Sequence, residues 1–128
     1  MKLRSLLYVP AHSDRFIAKA HERGADAIVL DLEDAVPETE KSAARERLAS
    51  TVASVTRNGA AAFVRINSGA RQLEDAIAAA RADAHGLFIP KAAEPRALEA
   101  LAGTLRAEEA ALDRPTMSFV AMIEDPAA

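Results

Sequence analysis

Residues 27–37 read Ala-Ile-Val-Leu-Asp-Leu-Glu-Asp-Ala-Val-Pro. The segment opens as a short apolar run with β-branched residues, which fits a strand buried on both faces, and then sets Asp31, Glu33 and Asp34 within four residues. Three carboxylates at the mouth of a buried strand repel one another. A metal ion, arginine or lysine neighbours, or backbone and water donors must offset that repulsion. The same residues also suit a plainer arrangement, with Leu32 turned inward and Glu33 and Asp34 in water ahead of the next helix.

On either side, apolar runs alternate with segments of helical period. Residues 6–9 form a first strand stopped by Pro10, with His12 and Ser13 beyond it. A helix over 14–23 turns Phe16, Ile17 and Ala20 to one face and stops at Gly24. After the acidic stretch, Pro37, Glu38 and Glu40 begin a long helix whose apolar line is Ala44, Leu48, Thr51, Val52 and Val55, ended by Asn58 and Gly59. Residues 60–66 form a third strand leading to Arg65 and Asn67, and a helix over 73–82 carries Leu73, Ile77 and Ala80 toward the core. A fourth strand, Gly86–Ile89, runs into Pro90 and Lys91. Leu98, Leu101, Leu105 and Leu112 mark a helix over 94–112 closed by Asp113 and Pro115, and a fifth strand over 118–123 delivers Glu124. Strict alternation with short connections predicts a parallel sheet of right-handed βαβ units; neither a repeat nor a linker divides the chain.

Composition narrows the function classes. With 128 residues, half of them hydrophobic, the chain is expected to form one domain with a sizeable core. No stretch has the apolar length to cross a bilayer, and the first ten residues are too short and too soon interrupted by proline for a signal peptide. The expectation is a soluble, cytoplasmic protein with no membrane partner. The absence of cysteine excludes disulfides, a thiolate metal site and a cysteine nucleophile. A net charge of −3 and 4% aromatic residues offer nucleic acid neither a basic footprint nor stacking side chains.

In a parallel sheet every carboxyl end lies on one edge, the ligand-binding edge of both open and barrel α/β folds. Those ends carry Pro10 and His12, Asp31 to Asp34, Arg65 and Asn67, Lys91, and Glu124, while the strand bodies carry almost no charge. Arg65, next to apolar positions, needs an anionic partner: a substrate carboxylate or thioester oxygen, or an internal salt bridge to Asp31 or Glu33. Glu124 is a hard oxygen ligand of the type magnesium takes, although one carboxylate does not make a metal site. Lys91 suits a Schiff-base amine, a phosphate partner or a solvated charge. His12, His21 and His85 lack metal-binding spacing, and the chain has neither a Gly-rich phosphate loop nor a Gly-x-Ser-x-Gly elbow.

Five segments together are specific: Arg4-Ser5-Leu6-Leu7-Tyr8-Val9-Pro10-Ala11, Asp31-Leu32-Glu33-Asp34-Ala35-Val36, Val64-Arg65-Ile66-Asn67, Pro90-Lys91 and Met122-Ile123-Glu124. On them the chain resembles the amino-terminal part of the citrate lyase β-subunit family, within the wider HpcH/HpaI aldolase group. That resemblance implies a TIM barrel, (β/α)8, usually in an oligomer, of which this chain would supply about the first five β/α units as an incomplete barrel. It also implies an Mg²⁺-dependent carbon–carbon lyase acting on a 3-hydroxyacyl thioester of the citryl-, malyl- or citramalyl-CoA type. The products would be an acetyl thioester and a 2-oxo acid, with CoA or an acyl-carrier protein bearing the thioester. Glu124 would ligate the metal with an aspartate of the next unit. Arg65 would bind substrate, and Asp31 and Glu33 would orient Arg65 or metal-bound water.

A TIM barrel typically takes about 250 residues. The chain is therefore expected to be a truncated product or a half-barrel that relies on another chain, assembling as a homo-oligomer and inactive alone. Two further readings stand beside this one. One is a non-catalytic binding or assembly subunit of the same family. The other is a receiver-like signalling domain with an open, doubly wound sheet, whose phosphoacceptor aspartate would end the third strand, where this chain has Arg65 and Asn67.

Overall fold

The computed structural model describes residues 4–90 and 95–121. Within them the apolar runs become five strands: β1 (Leu6–Pro10), β2 (Ala27–Asp31), β3 (Ala61–Arg65), β4 (Gly86–Ile89) and β5 (Ser118–Ala121). All neighbours pair in parallel, in the order β1-β2-β3-β4-β5. Right-handed crossovers in strictly sequential order wind the helices onto one face. A doubly wound sheet instead reverses its strand order at a switch point. The observed order overturns the receiver-like alternative and is the sheet order of a TIM barrel.

The helices are α1 (Asp14–Ala20), α2 (Lys41–Glu46), α3 (Leu48–Val55), α4 (Gln72–Arg81) and α5 (Pro95–Ala111). Their apolar faces meet Ile28, Leu30, Ala62, Val64, Leu87 and Ile89 in one buried cluster, while Ala27, Val29, Ala61, Phe63 and Phe88 form a second on the helix-free face. Both strand faces are thus apolar, as continuous rather than alternating hydrophobic runs require. Gly86 belongs to this close packing. A Cβ there would lie 2.5 Å from the Ser118 carbonyl oxygen and 2.6 Å from the Phe63 ring.

Three expectations on the helices need correction. The long helix after Pro37 is broken at Arg47 (φ −94°, ψ 4°), whose N–H is shared between the Ala43 and Ala44 carbonyls. The predicted line Ala44, Leu48, Thr51, Val52 and Val55 is nonetheless buried along both pieces. On α1, Ile17 and Ala20 are buried but Phe16 is 51% exposed, one residue off the stripe. On α4 the inward face is Asp75, Ala76, Ala79 and Ala80, and Leu73 is 42% exposed. Small alanines let this helix lie close to its neighbours, so the face that packs is the small one rather than the one carrying leucine.

Candidate functional site

Strand alternation carries the helix-free face from Ala27 and Val29 to Asp31, and from Ala61 and Phe63 to Arg65. The parallel register then sets Asp31 directly beside Arg65 at the carboxyl edge. The Arg65 Nε donates to Asp31 Oδ1 at 2.9 Å, and Nη2 donates to Oδ2. Glu33 Oε1 stands 3.7 Å from Nε, and the guanidinium lies over the Tyr8 ring, 5.4 Å from its centroid. Tyr8 and Phe63 both meet Phe88 edge-on, so the aromatic support of Arg65 continues into the apolar face below it.

The electrostatics hold this pair ionised. Burial pushes the Asp31 carboxyl up, but the hydrogen bond from Arg65, the Glu33 N–H, the Arg65 charge and the Ala35 N–H together bring it below its ordinary value of 3.8. The hydrogen bond to Asp31 raises Arg65, burial opposes it, and the charges of Asp31, Glu33 and Asp34 add to the rise. A guanidinium has five N–H donors, and Asp31 engages the Nε–Nη2 side. Both Nη1 hydrogens and one on Nη2 therefore have no partner among the described residues. One from each nitrogen makes the end-on fork, the geometry that takes a second carboxylate in two parallel hydrogen bonds. The Arg65 side chain is mostly buried, with 14% of its surface exposed.

Beneath the pair runs a buried polar network that the sequence reading did not assemble. Lys41 donates from Nζ to the carbonyls of Leu32 and Glu33 at 3.1 and 2.7 Å, and to Asn67 Oδ1 at 2.6 Å. The Asn67 amide donates in turn to Leu32 O and to Asp75 Oδ2, and Asp75 also accepts from Arg45. Lys41, Asn67 and Asp75 are all buried. The signal was available for two of them. Lys41 stands three residues before Ala44 and seven before Leu48, and Asp75 stands next to Ala76 and four before Ala79, so each shares a buried helix face.

The remaining predicted residues separate. Asp34 is exposed, and His12 stands 3.7 Å from Glu40 rather than in the Arg65 group. Lys91 and Glu124 lie outside the described residues. No group of three or more histidines, aspartates or glutamates among the described residues could hold a metal ion. The acidic stretch is thus no cage, because Asp31 is turned to Arg65 and Asp34 to solvent. A groove of about 450 Å³ between α3 and α4, lined by Leu48, Glu74 and Ile77 among others, opens on the helical side and does not reach Arg65. No described helix is long and apolar enough to cross a membrane.

The sequence profile described as HpcH/HpaI aldolase/citrate lyase matches residues 4–128. A (3S)-malyl-CoA thioesterase of Cereibacter sphaeroides is 42% identical over 104 residues, covering 77% of this chain and 35% of that protein. The mitochondrial citramalyl-CoA lyase of Rattus norvegicus is 34% identical over 100 residues, covering 75% and 30%. The solved citrate lyase beta subunit of M. tuberculosis, complexed with oxaloacetate and magnesium, superposes with a TM-score of 0.67 at 30% identity, over 94% of this chain and 47% of that one. The chain spans about a third of the length of the curated relatives it matches.

Proposed function

The chain belongs to the HpcH/HpaI aldolase/citrate lyase family, and we propose that it carries the amino-terminal part of an Mg²⁺-dependent carbon–carbon lyase site for a 3-hydroxyacyl thioester of the malyl-, citramalyl- or citryl-CoA type. Its five strands are read as the first units of a (β/α)8 barrel in a cytoplasmic homo-oligomer. One observation carries the proposal: at the carboxyl edge of a singly wound parallel sheet, Arg65 is gripped by Asp31 on one side, and its end-on fork meets no acceptor among the described residues. That fork fits the carboxylate of the acid half of the substrate, and Asp31 fixes its direction before substrate arrives.

In the cleavage, a base takes the C3 hydroxyl proton, the C2–C3 bond breaks, and the hydroxyl carbon becomes the carbonyl of a 2-oxo acid. The electron pair passes to the thioester enolate, which is protonated at C2 to give the acetyl thioester. Arg65 holds the acid in place and counters its charge. When bound, Mg²⁺ would polarise a substrate oxygen. Glu124 is the residue of this chain proposed to hold it, and the described residues contain no ligand set that fits the ion.

The test is binding of a 2-oxo acid (glyoxylate, pyruvate or oxaloacetate) to the chain with Mg²⁺ present, followed by calorimetry. Loss of a bidentate charged contact in Arg65→Ala is expected to weaken binding by about tenfold or more. Equal affinity in the variant rejects Arg65 as the acid-binding residue. A second reading is favoured by the thioesterase among the relatives. Hydrolysis of malyl-CoA would release a free thiol with malate, whereas lyase action would release acetyl-CoA with a 2-oxo acid. A chain that binds the acid and forms neither product has the non-catalytic role.

A further inference from the structure

We propose that Lys41 is a positioning residue for Arg65, acting by tying together the two segments that follow β2 and β3. This deepens the reading above and rests on it for the purpose that Arg65 serves.

Asp31 ends β2 and Arg65 ends β3, so the direction of the guanidinium depends on how the chain leaves both strands. Leu32 and Glu33 are the next two residues after Asp31, and the Glu33 N–H supports the Asp31 carboxylate at 2.8 Å. The carbonyls of these same two residues accept from the Lys41 ammonium, whose third contact is Asn67, two residues after Arg65. Asn67 is itself held from the far side, its N–H and side-chain amide both donating to Asp75 Oδ2 at 2.9 and 2.7 Å. The amide of Asn67 thus lies between a buried cation and a buried anion, oxygen toward Lys41 and nitrogen toward Asp75. That orientation is the one the charges dictate.

The chemistry selects lysine here. Three acceptors converge on one point, and an ammonium brings three donors to a single atom, whereas a guanidinium spreads its donors over a plane. A residue needed only to fill the space would not require them. A neutral side chain would leave the Asn67 oxygen without a donor and the Leu32 and Glu33 carbonyls with only the Asn67 amide and the Val36 N–H, which loosens the Leu32–Glu33 turn. The Glu33 N–H would then leave Asp31, and Arg65 would lose its fixed direction.

The test reads local geometry and uses neither substrate nor metal. In the ¹⁵N-labelled chain, the Arg65 Nε–H signal and the Glu33 amide are followed by hydrogen exchange, with the Leu30 and Val64 amides inside the sheet as reference. In Lys41→Met both site signals are expected to exchange about tenfold faster, the loss of roughly one hydrogen bond, while the reference amides stay unchanged. Because the chain has no cysteine, Lys41→Cys can be alkylated at one place only. Aminoethylation, which rebuilds an ammonium of lysine length, is expected to restore protection, and a propyl group is not. If Lys41→Met does not fold, Lys41→Arg decides: it keeps the charge but not the convergence, so partial loss at the two site signals is expected. Unchanged exchange at Arg65 and Glu33 in a folded variant overturns the proposal. So does a loss spread equally over the reference amides, or a chain that folds with neither substitution, either of which makes Lys41 a general stabilising residue. Failure of the substrate reading would look different, with Arg65 still protected and no 2-oxo acid bound.

Discussion

The two ends of the sheet use their polar side chains differently. At the amino end, Asp26 accepts the N–H groups of Arg4 and Ser5, His85 Nδ1 accepts that of Ala62, Asn58 donates to the His21 carbonyl, and Arg114 donates to the carbonyls of Ala80 and Ala84. Each joins a side chain to backbone at or near the end of a helix or strand, where regular pairing runs out. At the carboxyl end, side chains that also bond backbone meet one another: Arg65 with Asp31, Lys41 with Asn67, and Asn67 with Asp75. The first set closes the fold. The second holds a charge in a chosen direction with donors left over among the described residues, which matches the division in barrel enzymes between a stabilising bottom face and a functional top face.

The sharpest way to break that comparison is to remove the cation. Arg65→Met leaves Asp31 buried without its partner and is expected to cost about 3–5 kcal/mol in urea unfolding. Arg65→Met with Asp31→Leu removes the pair together and should recover most of that loss, since a buried pair replaced by apolar residues of similar size is often nearly neutral. Acid binding stays absent in both. If the single substitution costs under about 1 kcal/mol, the pair behaves as an exposed one and the contrast between the ends collapses. Arg114→Met tests the other end. It removes the side-chain donor from the carbonyls of Ala80 and Ala84, the first of which keeps the Asp83 N–H, and is expected to cost about 1–3 kcal/mol with 2-oxo acid affinity unchanged. Weakened binding in this variant would show that the ends cannot be separated.

The same division governs what could be read without coordinates. Strand positions, their parallel pairing and the gathering of charge at one edge follow from residue type and alternation, and Gly86–Ile89 lies where it was expected. Helix faces were less legible. On α1 and α4, alanines interleave with larger apolar residues, so spacing alone admits two faces, and the choice of Phe16 and Leu73 as core residues fell on the wrong one. Nothing in Ala-Arg-Glu-Arg-Leu announces the break at Arg47. In the site, the pairing of Arg65 with Asp31 was one of several partners the sequence allowed. Register, which depends on how two strands align in space, selects it. Lys41 and Asp75 carry charges that by type belong at a surface, whereas their helical spacing places them inside.

The finest test of the contrast is the sign of a pH dependence. The folded Asp31 carboxyl lies below its ordinary value of 3.8. Its contribution to stability is therefore complete above the unfolded value and is lost as pH falls through the folded one, because the unfolded chain binds the proton first. In Arg65→Met the lowering influences of the arginine are gone while burial still pushes the carboxyl up, so the linkage reverses if burial then prevails over the two backbone N–H groups. That variant should gain relative stability as pH falls through the raised folded value of Asp31. The difference between their urea midpoints, followed from about pH 6 to pH 3, reads the carboxylates that Arg65 meets, Asp31 first at 2.9 Å and Glu33 second at 3.7 Å. The expected result is a gap between the two chains that narrows on acidification. Arg114→Met, altered at the amino end, should instead keep a constant gap from the unsubstituted chain. A constant gap for Arg65→Met would mean that Asp31 does not depend on Arg65 for its charge, and that the carboxyl end is held together as the amino end is, by backbone groups.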